Sequence, residues 1–139
     1  MVYPATQAIY DALKAHDLEC GIEARDEFSA VHIGINTKNA SFEARFISRS
    51  EENDVALRIF NLLKFPEERT ESMLLAVNSC NYKFRYLRFS LDTRNNSVDA
   101  SYDFTMATDD IGDAAYELLM RSAGIIDDSY PDLMKEISG

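Results

Sequence analysis

Ala30-Val31-His32-Ile33-Gly34-Ile35-Asn36, a four-residue break, then Ser41-Phe42-Glu43-Ala44-Arg45-Phe46-Ile47-Ser48: these two runs decide how the rest of the chain reads. In each, apolar and polar residues alternate with a period of two, the signature of a strand with one face buried and one face wet. Lys38-Asn39 between them suits a two-residue hairpin turn, which sets Val31, Ile33 and Ile35 opposite Phe46, Ala44 and Phe42. A slip of one residue would turn every apolar side chain to the wrong face, so this pairing commits the chain to a one-sided sheet.

The same alternation extends outward in both directions. Leu18 to Arg25 and Asp54 to Leu62 repeat it. A four-residue loop, Asp26 to Ser29, brings Ala24, Ile22 and Cys20 opposite Val31, Ile33 and Ile35. The polar stretch Ser48 to Asn53 returns the chain so that Phe46, Ala44 and Phe42 meet Val55, Leu57 and Ile59. This predicts a four-strand meander with one core face. Its outer face would carry Glu23 opposite His32, His32 opposite Arg45 and Glu43 opposite Arg58. Ile47, Phe60 and Leu62 form an apolar corner on that outer face and are the candidate interface.

Helices flank the meander. Pro4 opens a first one carrying Ala5, Ile9, Ala12 and Leu13, with His16 near its end. After Phe65 the period changes: Pro66, then Glu67 and Glu68 at the positive end, then Thr70, Met73, Leu74, Val77 and Cys80 as a stripe, predict a second helix to about Asn78 with Asn81 as a left-handed exit. A second hairpin turning at Asn95-Asn96 pairs Leu91, Phe89 and Leu87 with Ala100, Tyr102 and Phe104, and Arg88 with Asp103. That register also sets Asp92 against Asp99, a like-charge pair that argues for a longer loop. Thr108 or Asp109 is the expected cap of a third helix, and Asp127 or Asp128 ahead of Pro131 is expected to start a short final one. The expected fold is a single α+β domain, residues 1–139, in the order α-ββββ-α-ββ-α, with the antiparallel sheet packed on one face by helices.

Composition limits what such a domain can do. Of 139 residues, 46% are hydrophobic and 11% aromatic, enough to build a core without metal or disulfide. Cys20 and Cys80 lack the spacing of a redox or zinc motif and read as small core residues. The longest purely apolar run is Met73 to Val77, and no charged and apolar leader opens the chain, so a soluble, cytoplasmic protein without a membrane role is expected. The net charge is −10. Residues 1–97 hold 12 basic and 14 acidic side chains, and residues 98–139 hold 2 and 10, so the last third carries most of the excess. Such a field repels phosphate backbones and argues against nucleic-acid binding.

Catalytic chemistry is not signalled. The two histidines, His16 and His32, have no nucleophile at hand, Cys20 lying on the sheet face opposite to His32. Asp109-Asp110-x-x-Asp113 and Asp127-Asp128 lack the glycine and terminal glutamate of a calcium loop and suit helix starts instead. Lys83, Arg85 and Arg88, interleaved with Phe84 and Tyr86, form a basic patch that Asp99 and Asp103 would neutralise. Five scattered glycines make no phosphate loop. The reading is no enzyme, no metal and no cofactor. A polar cluster at Asn78 and Asn81, with Tyr102, is the candidate pocket for a small-molecule sensor, although the two asparagines equally suit a helix end.

Taken together, the helix and meander, Pro66-Glu67 opening a helix that ends in Asn78-x-x-Asn81, the strand Lys83-Phe84-Arg85, and Ile126-Asp127-x-x-Tyr130-Pro131-x-Leu133 resemble the YbjN-like domain family, whose fold is similar to that of type III secretion chaperones. The resemblance implies a small α+β protein without known catalytic residues, often a homodimer, acting as a regulator of sensory transduction or in a chaperone-like way on a protein partner of unknown identity. It carries over no functional residues.

Overall fold

The computed structural model describes residues 1–51, 54–104 and 110–138. In chain order these form α1 (Pro4–Ala15), β1 (Gly21–Ala24), β2 (Ser29–Asn36), β3 (Ser41–Ser48), β4 (Val55–Lys64), a 3-10 turn (Glu67–Arg69), α2 (Thr70–Lys83), β5 (Arg88–Asp92), β6 (Ser97–Phe104) and α3 (Ile111–Ser138). The six strands make one antiparallel sheet in the order β1-β2-β3-β4-β6-β5, so the meander is continued by the second hairpin with its later strand innermost. The α+β class and the order of elements are those expected.

The core lies between one face of the sheet and the helices. Val31, Ile33, Ala44, Phe46, Leu57 and Ile59 project from the meander and are fully or nearly fully buried with Ile9 and Leu13 of α1, Met73 of α2 and Leu119, Ile126 and Leu133 of α3. The start of α1 is tied to β2 by polar groups that burial requires to be paired. The Ser29 hydroxyl accepts from the Tyr3 N–H (3.0 Å) and donates to Thr6 Oγ1 (2.8 Å). At the other end His16 caps α1 and Asp17 takes the left-handed exit, φ 61°.

The β2–β3 hairpin has the expected register, Val31 opposite Phe46 and Ile35 opposite Phe42. The other three expected hairpins each differ by two residues. In β1–β2, Ile22 rather than Ala24 faces Val31, because Arg25 bonds back to the Phe28 carbonyl and tightens the loop. In β3–β4, Phe46 faces Leu57 rather than Val55. In β5–β6, Phe89 faces Ala100 rather than Tyr102, and the loop lengthens to residues 93–96. Asp92 thereby escapes Asp99 and instead accepts from the Arg94 and Asn95 N–H groups. A two-residue slip keeps every side chain on its face, so the core is unchanged and only the cross-strand partners move.

On the outer face the partners do move. His32 faces Gly21 and Arg45, and its imidazole lies over Gly21, where a Cβ would meet it at 2.7 Å. Arg45 faces Arg58, not Glu43 facing Arg58. Glu23 accepts from Arg45 and Arg25, and Arg58 donates to Asp103 at 2.6 Å. Pairs this exposed typically contribute under about 1 kcal/mol each.

Two further expectations give way. The pairing of β4 with β6 is irregular between Ile59 and Leu63: Asn61 adopts φ 54° and gives its N–H to Asp99 Oδ1 (2.9 Å), which turns Leu62 as well as Leu63 into the core. And α2 does not stop near Asn78 but runs to Lys83, with Asn81 inside it; the left-handed residue is Tyr86.

The third helix is a single one of 28 residues through Pro131, where a separate short helix was expected. The expected cap at Thr108 or Asp109 lies outside the described residues; within them, Asp110 caps by accepting the Asp113 N–H (3.0 Å). Pro131 has no N–H to give the carbonyl four residues earlier, that of Asp127, and normally breaks a helix. Here that carbonyl accepts from Asn39 Nδ2 (3.0 Å), while the Asn39 N–H donates to Asp127 Oδ1 (2.7 Å). The turn of the β2–β3 hairpin thus supplies the bond the proline removes. The Thr37 hydroxyl, the Asn39 N–H and nearby Lys38 hold the Asp127 carboxyl below the ordinary value of 3.8. A depressed carboxyl binds protons more readily in the unfolded chain, so its stabilisation is present above pH 3.8 and is lost as pH falls through the folded value. Asp127→Asn, which keeps the oxygen acceptor and drops the charge, is expected to lower Tm by a few degrees at pH 7. In thermal melts the gap from wild type should narrow steadily below pH 4; a gap independent of pH would refute the assignment.

Candidate functional site

The second helix is amphipathic in an unusual sense, apolar on two sides. Met73, Val77 and Cys80 point to the core, while Leu74, Leu75 and Tyr82 point away from it and are 52%, 67% and 95% exposed. At 100° per residue Leu75, Asn78 and Tyr82 share one line opposite the buried stripe, with Leu74 beside it. Glu71 stands at the start of this line and Lys83 at the end of the helix. An isolated exposed leucine needs no explanation, but two leucines and a tyrosine on the outward side of one helix, interrupted by Asn78, make an apolar-rich face.

A second feature is a cavity of about 250 Å³ between α3 and the β5–β6 hairpin. Tyr102 and Phe104 of β6 form its floor, their rings stacked at 6.4 Å, and Tyr86 stands edge-on to Tyr102 at 6.0 Å. Ala114 and Leu118 line it from α3. At its rim the Arg121 guanidinium lies 5.6 Å over the Tyr86 ring and donates from Nε and one Nη to the same Glu117 oxygen (3.2 and 2.9 Å).

The residues singled out from sequence are distributed differently. Leu62 is 5% exposed and Ile47 is half-buried between Ala30 and Ala56, leaving Phe60, 51% exposed, as the open member of that trio. Ile47 and Phe60 lie four residue positions apart along paired strands, roughly 13 Å, with Arg45 and Arg58 between them. The expected corner is therefore not a patch. Of the pocket trio, Tyr102 lines the cavity. Asn81 binds the backbone of Phe89 on both sides, accepting its N–H (2.7 Å) and donating to its carbonyl (2.8 Å), and so fastens α2 to β5. Asn78 is exposed on α2. Arg88 of the basic patch donates to the Asn81 carbonyl (2.8 Å), where a helix end favours a cation.

His16 stacks on Tyr116 with ring centroids 3.6 Å apart and planes 3° from parallel. Burial pushes both thiols, Cys20 and Cys80, above the ordinary value, which suits packing rather than nucleophilic attack. Among the described residues no group of three or more His, Cys, Asp or Glu side chains is placed to hold a metal ion, and no helix is long and apolar enough to cross a membrane.

A family model described as "YbjN: Putative bacterial sensory transduction regulator" matches residues 6–133. The chain belongs to the YbjN family. The YbjN fold is also seen in a solved structure described as "Crystal structure of YbjN, a putative transcription regulator from E. coli", which is similar with a TM-score of 0.62 at 10% identity over 94% of this chain and 95% of that one. At that identity the likeness speaks for the fold alone. No curated protein matches the sequence significantly. Within the YbjN frame, the α2 strip and the cavity beside α3 were missed by reading the sequence. The strip had a signal: five successive apolar residues, Met73 to Val77, on a helix cannot all face one way. Arg121 and Tyr86 had none, since their meeting depends on tertiary packing.

Proposed function

We propose that this chain is a non-enzymatic interaction domain, a homodimer that engages another protein in a regulatory or chaperone-like role. The observation that supports this reading is the strip of Leu74, Leu75 and Tyr82 on the outer face of α2. A second copy suits that strip because it is nearly self-complementary about a two-fold axis beside Asn78. In an antiparallel pairing of the two α2 helices, each about 21 Å long, Leu74 of one copy meets Tyr82 of the other. Glu71 in the acidic first turn then lies by Lys83 in the basic last turn, and the helix dipoles oppose. The family's description as a regulator fits a domain that works by binding.

Light scattering over a range of concentrations tests the self-association. Wild type is expected at twice the 15.8 kDa chain mass, Leu75→Asp at the chain mass, and Phe60→Asp, on the opposite layer, unchanged from wild type. A wild-type monomer at all concentrations, or a Leu75→Asp dimer, would remove the α2 assignment.

A further inference from the structure

The cavity beside α3 has a chemistry of its own, separate from the α2 strip. Its walls are aromatic and its rim is charged, the pattern of a site that takes an apolar ring and fixes one polar end. Tyr86 holds the left-handed conformation, φ 71°, which a bulky residue rarely adopts and which tends to cluster at ligand sites. The ring held this way is 42% exposed at the cavity mouth rather than buried in the core.

The sign of the polar end follows from the rim. Arg121 already covers the Tyr86 face, so a cationic ligand seeking the aromatic rings would meet a fixed guanidinium. An anion meets the same guanidinium as a partner, in competition with the Glu117 carboxylate that shares the lining. The Glu117 carboxylate on Arg121 belongs to an exposed i,i+4 pair, with side chains 54% and 66% exposed, and such pairs exchange partners readily. A ligand carboxylate can take its place on the guanidinium while Glu117 turns to water. The volume, about 250 Å³, is below that of sites for drug-sized molecules and suits one ring with a short acid arm.

We propose that this cavity binds a small aromatic carboxylate, its ring against Tyr102 and Phe104 beneath Tyr86 and its carboxylate on Arg121. Phenylacetate is titrated into the full chain and followed by two-dimensional amide NMR, with phenylethylamine and benzyl alcohol as probes of the same ring and different charge. Saturable shifts centred on the Tyr86, Tyr102 and Ala114 amides are expected, with phenylacetate the tightest of the three. Arg121→Gln should weaken phenylacetate about tenfold or more and leave benzyl alcohol unaffected. Ala114→Leu, which fills the cavity from the helix side, should abolish the shifts while keeping a dispersed, folded spectrum. The proposal is overturned by tighter binding of phenylethylamine, by shifts that do not saturate or fall elsewhere, or by an Arg121→Gln protein that binds phenylacetate as wild type does.

Discussion

Phe46→Ala is expected to remove about 3–5 kcal/mol of unfolding free energy. Phe46 is fully buried on β3, between Val31 and Leu57 in the register of the sheet, and meets Phe104 edge-to-face at 6.1 Å. Removing the ring costs its transfer free energy and also leaves a void, because strands held by ladders on both sides cannot close over it. Against the 5–15 kcal/mol typical of a whole domain that is a large fraction, roughly 10–20 °C in Tm for a chain of this length. Urea denaturation should show the midpoint falling at constant m; a loss under about 1.5 kcal/mol would mean that the neighbours repack, and that the core is less rigid than its burial implies.

The second large effect is a pair of opposite signs within one helix. Gly112 and Gly124 both lie in α3, and helix propensity alone predicts that replacing either by alanine stabilises by up to about 1 kcal/mol. At Gly124 a Cβ meets nothing within 4 Å, so Gly124→Ala should raise stability by roughly 0.5–1 kcal/mol. At Gly112 a Cβ would come within 2.7 Å of the Ala8 carbonyl oxygen and 2.9 Å of the Ala12 Cβ, where α3 crosses α1. The first obstacle is backbone, which cannot rotate away, so α3 must lift from α1. Gly112→Ala is expected to destabilise by about 1–3 kcal/mol and Gly112→Val by more, the branched side chain adding a second collision. Equal effects of alanine at the two positions would show that the α1–α3 contact is loose.

Much of this architecture could be read from the sequence because a period of two and a period of 3.6 are both visible by eye. The alternation in Ala30–Asn36 and Ser41–Ser48 fixes which side chains face the core, and a two-residue turn leaves only one way to pair them. Longer connections do not. Between β1 and β2, β3 and β4, and β5 and β6, pairings two residues apart bury identical faces, so only turn hydrogen bonds separate them: Arg25 to Phe28 in the first, the Asp92 carboxylate in the third. Leu62 was misplaced for a related reason, since the irregularity at Asn61 breaks the alternation that predicted its direction. Of the expected interface at Ile47, Phe60 and Leu62, this leaves Phe60 as the exposed member. The α2 strip was legible in principle from Met73 to Val77. The cavity at Tyr86, Tyr102 and Arg121 was not, because residues from a loop, a strand and a helix meet there only after folding. Tyr102 alone was anticipated, as an inward-facing strand residue.

Pro131 and Asn39 stand 92 positions apart in the chain, yet each accounts for the other: the proline leaves the Asp127 carbonyl without a helical donor, and the asparagine amide supplies one. Such a pair is expected to be inherited jointly. A descendant that exchanged Pro131 for a residue with an N–H would close its own helix, release the hairpin turn from that duty and let position 39 drift. One that lost Asn39 first would leave that exposed carbonyl to water until the proline followed, a smaller cost than an unpaired group in the core.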